Sequence, residues 1–243
     1  MDAKELEKIQ EKINRKIDRI FEKQVKKGIY DINKVAPIKD GITDFECYCD
    51  KNNAPSIMWI LKEPWDKIVD DEPYGGGFNI PEIQKEENFI NNISRAQQRI
   101  IYSMQCIRTK GAETYDDMNW YYDMPNRLKE IAYINLSKIP GYKSSDASLI
   151  ERAKIWKDVV KEQIDKFDPD IIITANTYDL LIELGIIEDL SPSLEKEDNL
   201  VDVYKRKTGK ILINAYHPSY PGVGVRPYIE SLAKAVSKYF NKN

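Results

Sequence analysis

One histidine occurs in the 243 residues of this chain, and it stands where an apolar run is stopped: Ile211-Leu212-Ile213-Asn214-Ala215 leads through Tyr216 into His217-Pro218-Ser219. A second apolar run, Ser56 to Leu61, ends in Lys62-Glu63-Pro64-Trp65-Asp66. A third, from Ile131, carries Asn135-Leu136-Ser137 at its end, and a fourth, Ile171-Ile172-Ile173, runs into Thr174-Ala175-Asn176-Thr177. A carboxylate, an imidazole, amides, hydroxyls and an indole therefore each follow a stretch of core-type residues. A carboxylate and an imidazole carry acid–base chemistry, and amides and hydroxyls read a ligand by hydrogen bonding.

The elements that must position these groups follow from periodicity. Each run is too short for a helix and is closed by polar or proline residues, so each reads as a buried strand. Between the runs the apolar spacing changes to three and four. Helices are expected over about 86–108 (Phe89, Ile93, Ala96, Ile100, Met104, Ile107), from a Ser145 cap through Phe167, over 177–184 with Gly185 as the stop, and over 226–240. Lys207-Thr208-Gly209 predicts a hairpin between 200–204 and 210–215. The first 28 residues read as one amphipathic helix (Leu6, Ile9, Ile13, Ile17, Ile20, Val25). Thr43-Asp44-Phe45-Glu46 has the form of a capping box opening a short helix through Cys49. A long loop holding Gly75-Gly76-Gly77 follows the first core strand.

Strands alternating with helices predict an α/β fold: three α/β/α layers around a central, mostly parallel four-stranded sheet. The expected division is a helical N-terminal extension over residues 1–54, packed on an α/β domain over 55–243. Ligands of such sheets bind at the carboxyl ends of the strands. That rule places all four polar segments on one rim.

Composition narrows the function classes. Hydrophobic residues make up 42% and charged residues 32%, as in an ordinary globular protein. No apolar run approaches a bilayer span and charge begins at the second residue, so the expectation is a cytoplasmic protein with no membrane partner. The three cysteines, Cys47, Cys49 and Cys106, are too few for a disulfide framework or a four-thiolate site, and read as reduced and structural. No metal or other cofactor is expected. Asp66, Asp70, Asp71 and Glu72 match no calcium-loop spacing, and the glycine run lacks the Lys-Ser/Thr of a phosphate loop. A net charge of −3 disfavours coating nucleic acid by bulk electrostatics but leaves room for a local grip.

Glu63-Pro64-Trp65 after one strand, Tyr133-Ile134-Asn135-Leu136 at the end of another and His217-Pro218-Ser219 after the last, in that order, resemble the uracil-DNA glycosylase superfamily. Phe167-Asp168-Pro169-Asp170 before the third core strand is similar too. The resemblance spans roughly residues 55–240. It implies cleavage of an N-glycosidic bond in DNA, with a nucleobase flipped into a pocket. It assigns the base-carbonyl hydrogen bond to His217, a water-positioning role to Glu63 and reading of the pyrimidine amide edge to Asn135. Trp65 and Phe78 become base-packing aromatics. Ser219, Pro64 and Arg226 become the DNA-phosphate contacts, with Arg226 opening a helix whose amides face the backbone.

The chain departs from that pattern in having Glu63 where Asp or Asn is usual, and in lacking the cysteines of the iron–sulfur branches. Three functions stay open. One is a glycosylase acting on a uracil-like, deaminated or modified base in DNA. Another is a binding module of the same fold for a nucleobase, nucleotide or DNA. The third is a hydrolase of a non-DNA N-glycoside. A lane of positive charge past Arg226, Lys138 and Lys143 would favour the first. Structural readings stand beside these: Glu63 as a surface carboxylate paired with Lys62, Asn135 satisfying backbone groups. The oligomeric state is not legible.

Overall fold

The computed structural model describes residues 1–50, 55–86, 89, 93–109, 114–118, 124–142, 148–188, 190, 195–197 and 200–240. Helix α1 (Ala3–Lys26) is capped by Asp2, whose carboxylate accepts from the Glu5 N–H, and buries Leu6, Ile13, Ile17 and Phe21. Strands β1 (Val35–Ala36) and β2 (Gly41–Ile42) lead to α2 (Phe45–Cys49). Its cap is Asp44, which accepts from the Cys47 N–H at 3.0 Å, and not Thr43, whose hydroxyl turns instead to Gln84. Strands β3 (Ile57–Leu61), β4 (Lys67–Val69) and β5 (Glu72–Gly76) precede α3 (Ile80–Ile83), α4 (Arg95–Arg108) and β6 (Ile131–Asn135). Then come α5 (Leu149–Phe167), β7 (Ile171–Ala175), α6 (Tyr178–Glu183), β8 (Glu195–Glu197), β9 (Val201–Lys205), β10 (Ile211–Ala215) and α7 (Val225–Phe240).

The fold is α/β with a mostly parallel central sheet and helices on both faces. Its strand order is β2-β6-β3-β7-β10-β9-β8. The four expected core strands, β6, β3, β7 and β10, lie side by side and parallel. Antiparallel strands extend them: β2 beside β6, and β9 then β8 beyond β10. Among the described residues the sheet thus has seven strands where four were expected, β9 being the hairpin partner that Lys207-Thr208-Gly209 predicted. β2 is a two-residue segment and β8 a Glu-Lys-Glu stretch, and neither carries an apolar alternation that sequence could reveal.

Both faces of the parallel strands are buried, and the side-chain period of two sorts them. Ile57, Trp59, Ile131, Ile171, Ile173 and Ile213 pack with α4 and α7. Met58, Ile60, Ala132, Ile134, Ile172 and Leu212 face α1, α5 and α6. The hairpin between β9 and β10 forms with Gly209 at φ 83°, a left-handed turn position suited to glycine.

Three expectations change. The helix expected over about 86–108 starts at Arg95, because Ser94 and Gln97 form a reciprocal capping box there. The expected Ser145 cap lies outside the described residues, and Ser148 is the N-cap of α5. The glycine-containing loop is instead a small sheet, β1-β5-β4, in which Asp70 (φ 51°) and Asp71 (φ 62°) make the tight turn of the β4–β5 hairpin.

Candidate active site

Residues from three strand ends meet in one cavity of about 290 Å³, lined by Glu63, Pro64, Trp65, Phe78, Asn135 and His217, with Ile80, Ile83 and Phe89 adding apolar wall. β3 delivers Glu63 to Trp65, β6 delivers Asn135 and β10 delivers His217. Sheet order explains the meeting. The chain passes from β3 to β6 on one side and returns to β7 on the other, so a crevice opens at the carboxyl end of β3. Trp65 is 58% exposed and stands at the edge, whereas Pro64 is buried with its carbonyl accepting from the Gly141 N–H at 2.9 Å.

The imidazole of His217 is held by its own loop. Its Nδ1 lies 2.7 Å from the Ser219 hydroxyl and accepts the Ser219 backbone N–H at 3.2 Å. A nitrogen that accepts a backbone N–H carries no proton, so this network assigns the proton of the neutral ring to Nε2. Burial, reinforced by the positive charge of Lys62, pushes the His217 pKa from 6.5 down to about 4. The ring is neutral at physiological pH, with Nε2–H as a donor.

That loop is pinned from beneath. Buried Arg99 of α4 donates to the carbonyls of Tyr220 (3.1 Å) and Val223 (3.0 Å), and the Tyr228 hydroxyl donates to the carbonyl of Tyr216 (3.1 Å). Tyr216 and Tyr220 stack, with ring centroids 5.2 Å apart, and both are exposed.

Glu63 is not a surface carboxylate paired with Lys62. Its side chain is only 2% exposed, and Oε2 accepts from Arg152 Nε at 3.0 Å and Nη2 at 2.7 Å. Arg152 lies on α5 and its guanidinium sits 5.9 Å from the Tyr142 ring centroid. Gly141 fits against the carboxylate, and a Cβ there would overlap it.

Asn135 is 2% exposed, and its neighbour is a side chain rather than a free backbone group. Its N–H and its Nδ2 donate to Asp40 Oδ2 at 2.7 and 3.2 Å. Asp40 also holds Lys138, whose Nζ lies 2.7 and 2.9 Å from the two carboxylate oxygens and donates to the Asn135 carbonyl and Gln163 Oε1. Gln163 Nε2 returns a bond to Asp40 Oδ1 at 2.9 Å. All four residues are buried. Burial pulls the Lys138 pKa down and Asp40 opposes that pull.

Other expected rim residues are placed elsewhere. Ser219 is exposed and engaged with His217. Arg226 is exposed, but ion-paired with Asp116 and with Glu230 (3.0 Å). Lys138 cannot belong to a surface lane of positive charge, since it is buried under Asn135; Lys143 lies outside the described residues. Asn176, at φ 57°, joins Asp202 and Asn214 in a separate polar hollow of about 180 Å³.

Asp40, Arg152 and Gln163 were not singled out from sequence. One signal existed: Gln163 falls on the α5 stripe that buries Trp156, Val160, Ile164 and Phe167, a polar residue at a core position. Asp40 sits in a short connection without periodicity and carries no such mark. No family model matches the chain, and no curated protein matches it.

Proposed function

We propose that this protein is a DNA glycosylase that takes a flipped, uracil-like or deaminated base into the cavity and hydrolyses its N-glycosidic bond. The observation that carries this reading is the convergence of Glu63, Asn135 and a neutral His217 on one cavity walled by Trp65 and Phe78. At about 290 Å³ it lies at the small end of ligand pockets, which suits one base better than a dinucleotide.

In this reading water adds to the anomeric carbon as the C–N bond breaks, the base leaves with the bonding electrons, and the proton shed by the water ends on the departing base anion. His217 Nε2–H donates to a carbonyl of the departing base and stabilises its negative charge, a role that needs a neutral donor rather than a titrating one. Asn135 Oδ1 accepts a ring N–H of the base. The Glu63 carboxylate, held at Oε2 by Arg152, faces the sugar and orients the attacking water. Trp65 and Phe78 flank the base.

A second reading, a binding module of the same shape, is favoured by one observation: Arg152 neutralises Glu63. A carboxylate whose charge is already spent stabilises a cationic sugar less. The two readings separate when binding and cleavage are measured together on fluorescein-labelled single strands and duplexes carrying uracil, hypoxanthine, xanthine or modified pyrimidines. Alkali-labile abasic sites in any substrate support the glycosylase. Binding without abasic sites supports the module, and neither result on any substrate removes DNA as the partner.

A further inference from the structure

An ion pair with no access to water is costly to bury, and replacing one by apolar residues is often neutral or stabilising. The wholly buried Asp40–Lys138 pair therefore calls for a reason, and its contacts supply one. Asp40 Oδ2 takes both the backbone N–H and the Nδ2 of Asn135, the amide that lines the cavity. A carboxylate accepts and never donates when ionised, so the Asn135 amide cannot turn over without setting Oδ1 against Asp40. Lys138 and Gln163 fix the carboxylate in turn, from both of its oxygens. Among the described residues none donates to Asn135 Oδ1 and none bonds His217 Nε2.

From this arrangement we propose that Asp40, held by Lys138 and Gln163, is a positioning residue that fixes the Asn135 amide with Oδ1 toward the cavity. The site is then restricted to bases presenting a ring N–H beside a carbonyl. The inference rests on the nucleobase reading of the cavity and deepens it. A fixed acceptor at Asn135 and a fixed donor at His217 match the lactam edge that deamination creates: a carbonyl takes the His217 proton and the neighbouring ring N–H reaches Asn135. An unmodified cytosine presents a bare ring nitrogen at the same place, where it meets Oδ1 lone pair to lone pair. Discrimination here comes from leaving buried polar atoms opposed, which rejects the wrong base more strongly than a lost contact would.

The test uses the full chain with uracil and cytosine as probes, two bases of one shape and opposite polarity at N3. Binding is followed on the imidazole signal of His217, and hydrogen exchange is followed on the Asn135 amide. Asp40→Ala leaves Lys138 buried and unpaired and is expected to fold poorly. The informative variant is Asp40→Leu with Lys138→Met, which removes both charges together. Wild type is expected to favour uracil over cytosine by about tenfold or more, and the folded double variant to lose that preference to within about threefold. A preference that survives intact in the folded double variant overturns the proposal. If neither base binds wild type, the nucleobase reading fails, and Asp40 is judged on the amide alone. Asn135 protons exchanging at least about tenfold faster in the double variant keep its positioning role, and an unchanged rate removes it.

Discussion

His217 and Ser219 are joined twice: Nδ1 of the imidazole lies 2.7 Å from the Ser219 hydroxyl and accepts its backbone N–H at 3.2 Å. The pair turns the only histidine of the chain into a fixed neutral donor at Nε2. Ordinarily an imidazole changes charge near neutral pH; here burial and Lys62 remove that behaviour, with a pKa of about 4.

The pH dependence follows. In the unfolded chain the imidazole takes its proton near 6.5, and in the folded one near 4. Between those values the unfolded state binds the extra proton, so this group's contribution to stability is complete above 6.5 and declines as pH falls to 4. Because the chain holds one histidine, its ring nitrogens can be followed by NMR without assignment. Their shifts should stay constant from pH 8 down to about 5 and move near 4. A midpoint near 6.5 in the folded protein would contradict the account.

Arg152→Ala should strand the buried Glu63 carboxylate and cost on the order of 3 kcal/mol in urea unfolding, as expected for breaking a buried pair from one side. Glu63→Gln with Arg152→Met removes both charges and should recover most of that loss. A single Arg152→Ala variant as stable as wild type would show that the pair is not desolvated as the geometry indicates.

Gly141→Ala tests the close approach to Glu63. A methyl at that Cα overlaps the carboxylate, so it must displace Glu63 or shift the backbone, at a cost of about 1–3 kcal/mol. Thermal denaturation reports the cost, and base release reports whether Glu63 has moved. The expected outcome is a protein that still folds with weakened release.

Arg99→Met removes the two donors that tether the carbonyls of Tyr220 and Val223 to α4. Hydrogen exchange should rise over residues 216–224 and leave β10 protected, since the strand keeps its ladders to β7 and β9. Increased exchange in β10 as well would mean that Arg99 supports the sheet rather than the loop.

What was legible in the sequence is what periodicity writes. The four parallel strands announced themselves because strands buried on both faces read as unbroken apolar runs, and Pro64, Pro169 and Pro218 stand just past the ends of β3, α5 and β10. The polar residues beyond three of those runs, Glu63, Asn135 and His217, meet in the cavity because a parallel sheet gathers its strand ends, whereas Asn176 beyond β7 lines a separate hollow. Of the partners behind the cavity residues only Gln163 left such a trace, as a polar residue on the buried stripe of α5. Arg152 and Asp40 come from α5 and from the connection before β2, each far in sequence from the residue it holds. Lys138 looked like a rim cation since nothing in Ser137-Lys138-Ile139 signals burial. The helix start expected at 86 fails for a different, local reason: apolar spacing continues through Phe89 and Ile93, while the Ser94–Gln97 capping box, itself written in the sequence, sets the boundary.

The most direct test of the central claim is chromatographic measurement of free base from oligonucleotides carrying uracil, hypoxanthine, xanthine or modified pyrimidines, with wild type, Glu63→Ala and His217→Ala side by side. Wild type is expected to release a lactam-bearing base, with loss of about 10²-fold or more in each variant. Release that persists undiminished in both variants, or no release from any substrate, would contradict that claim.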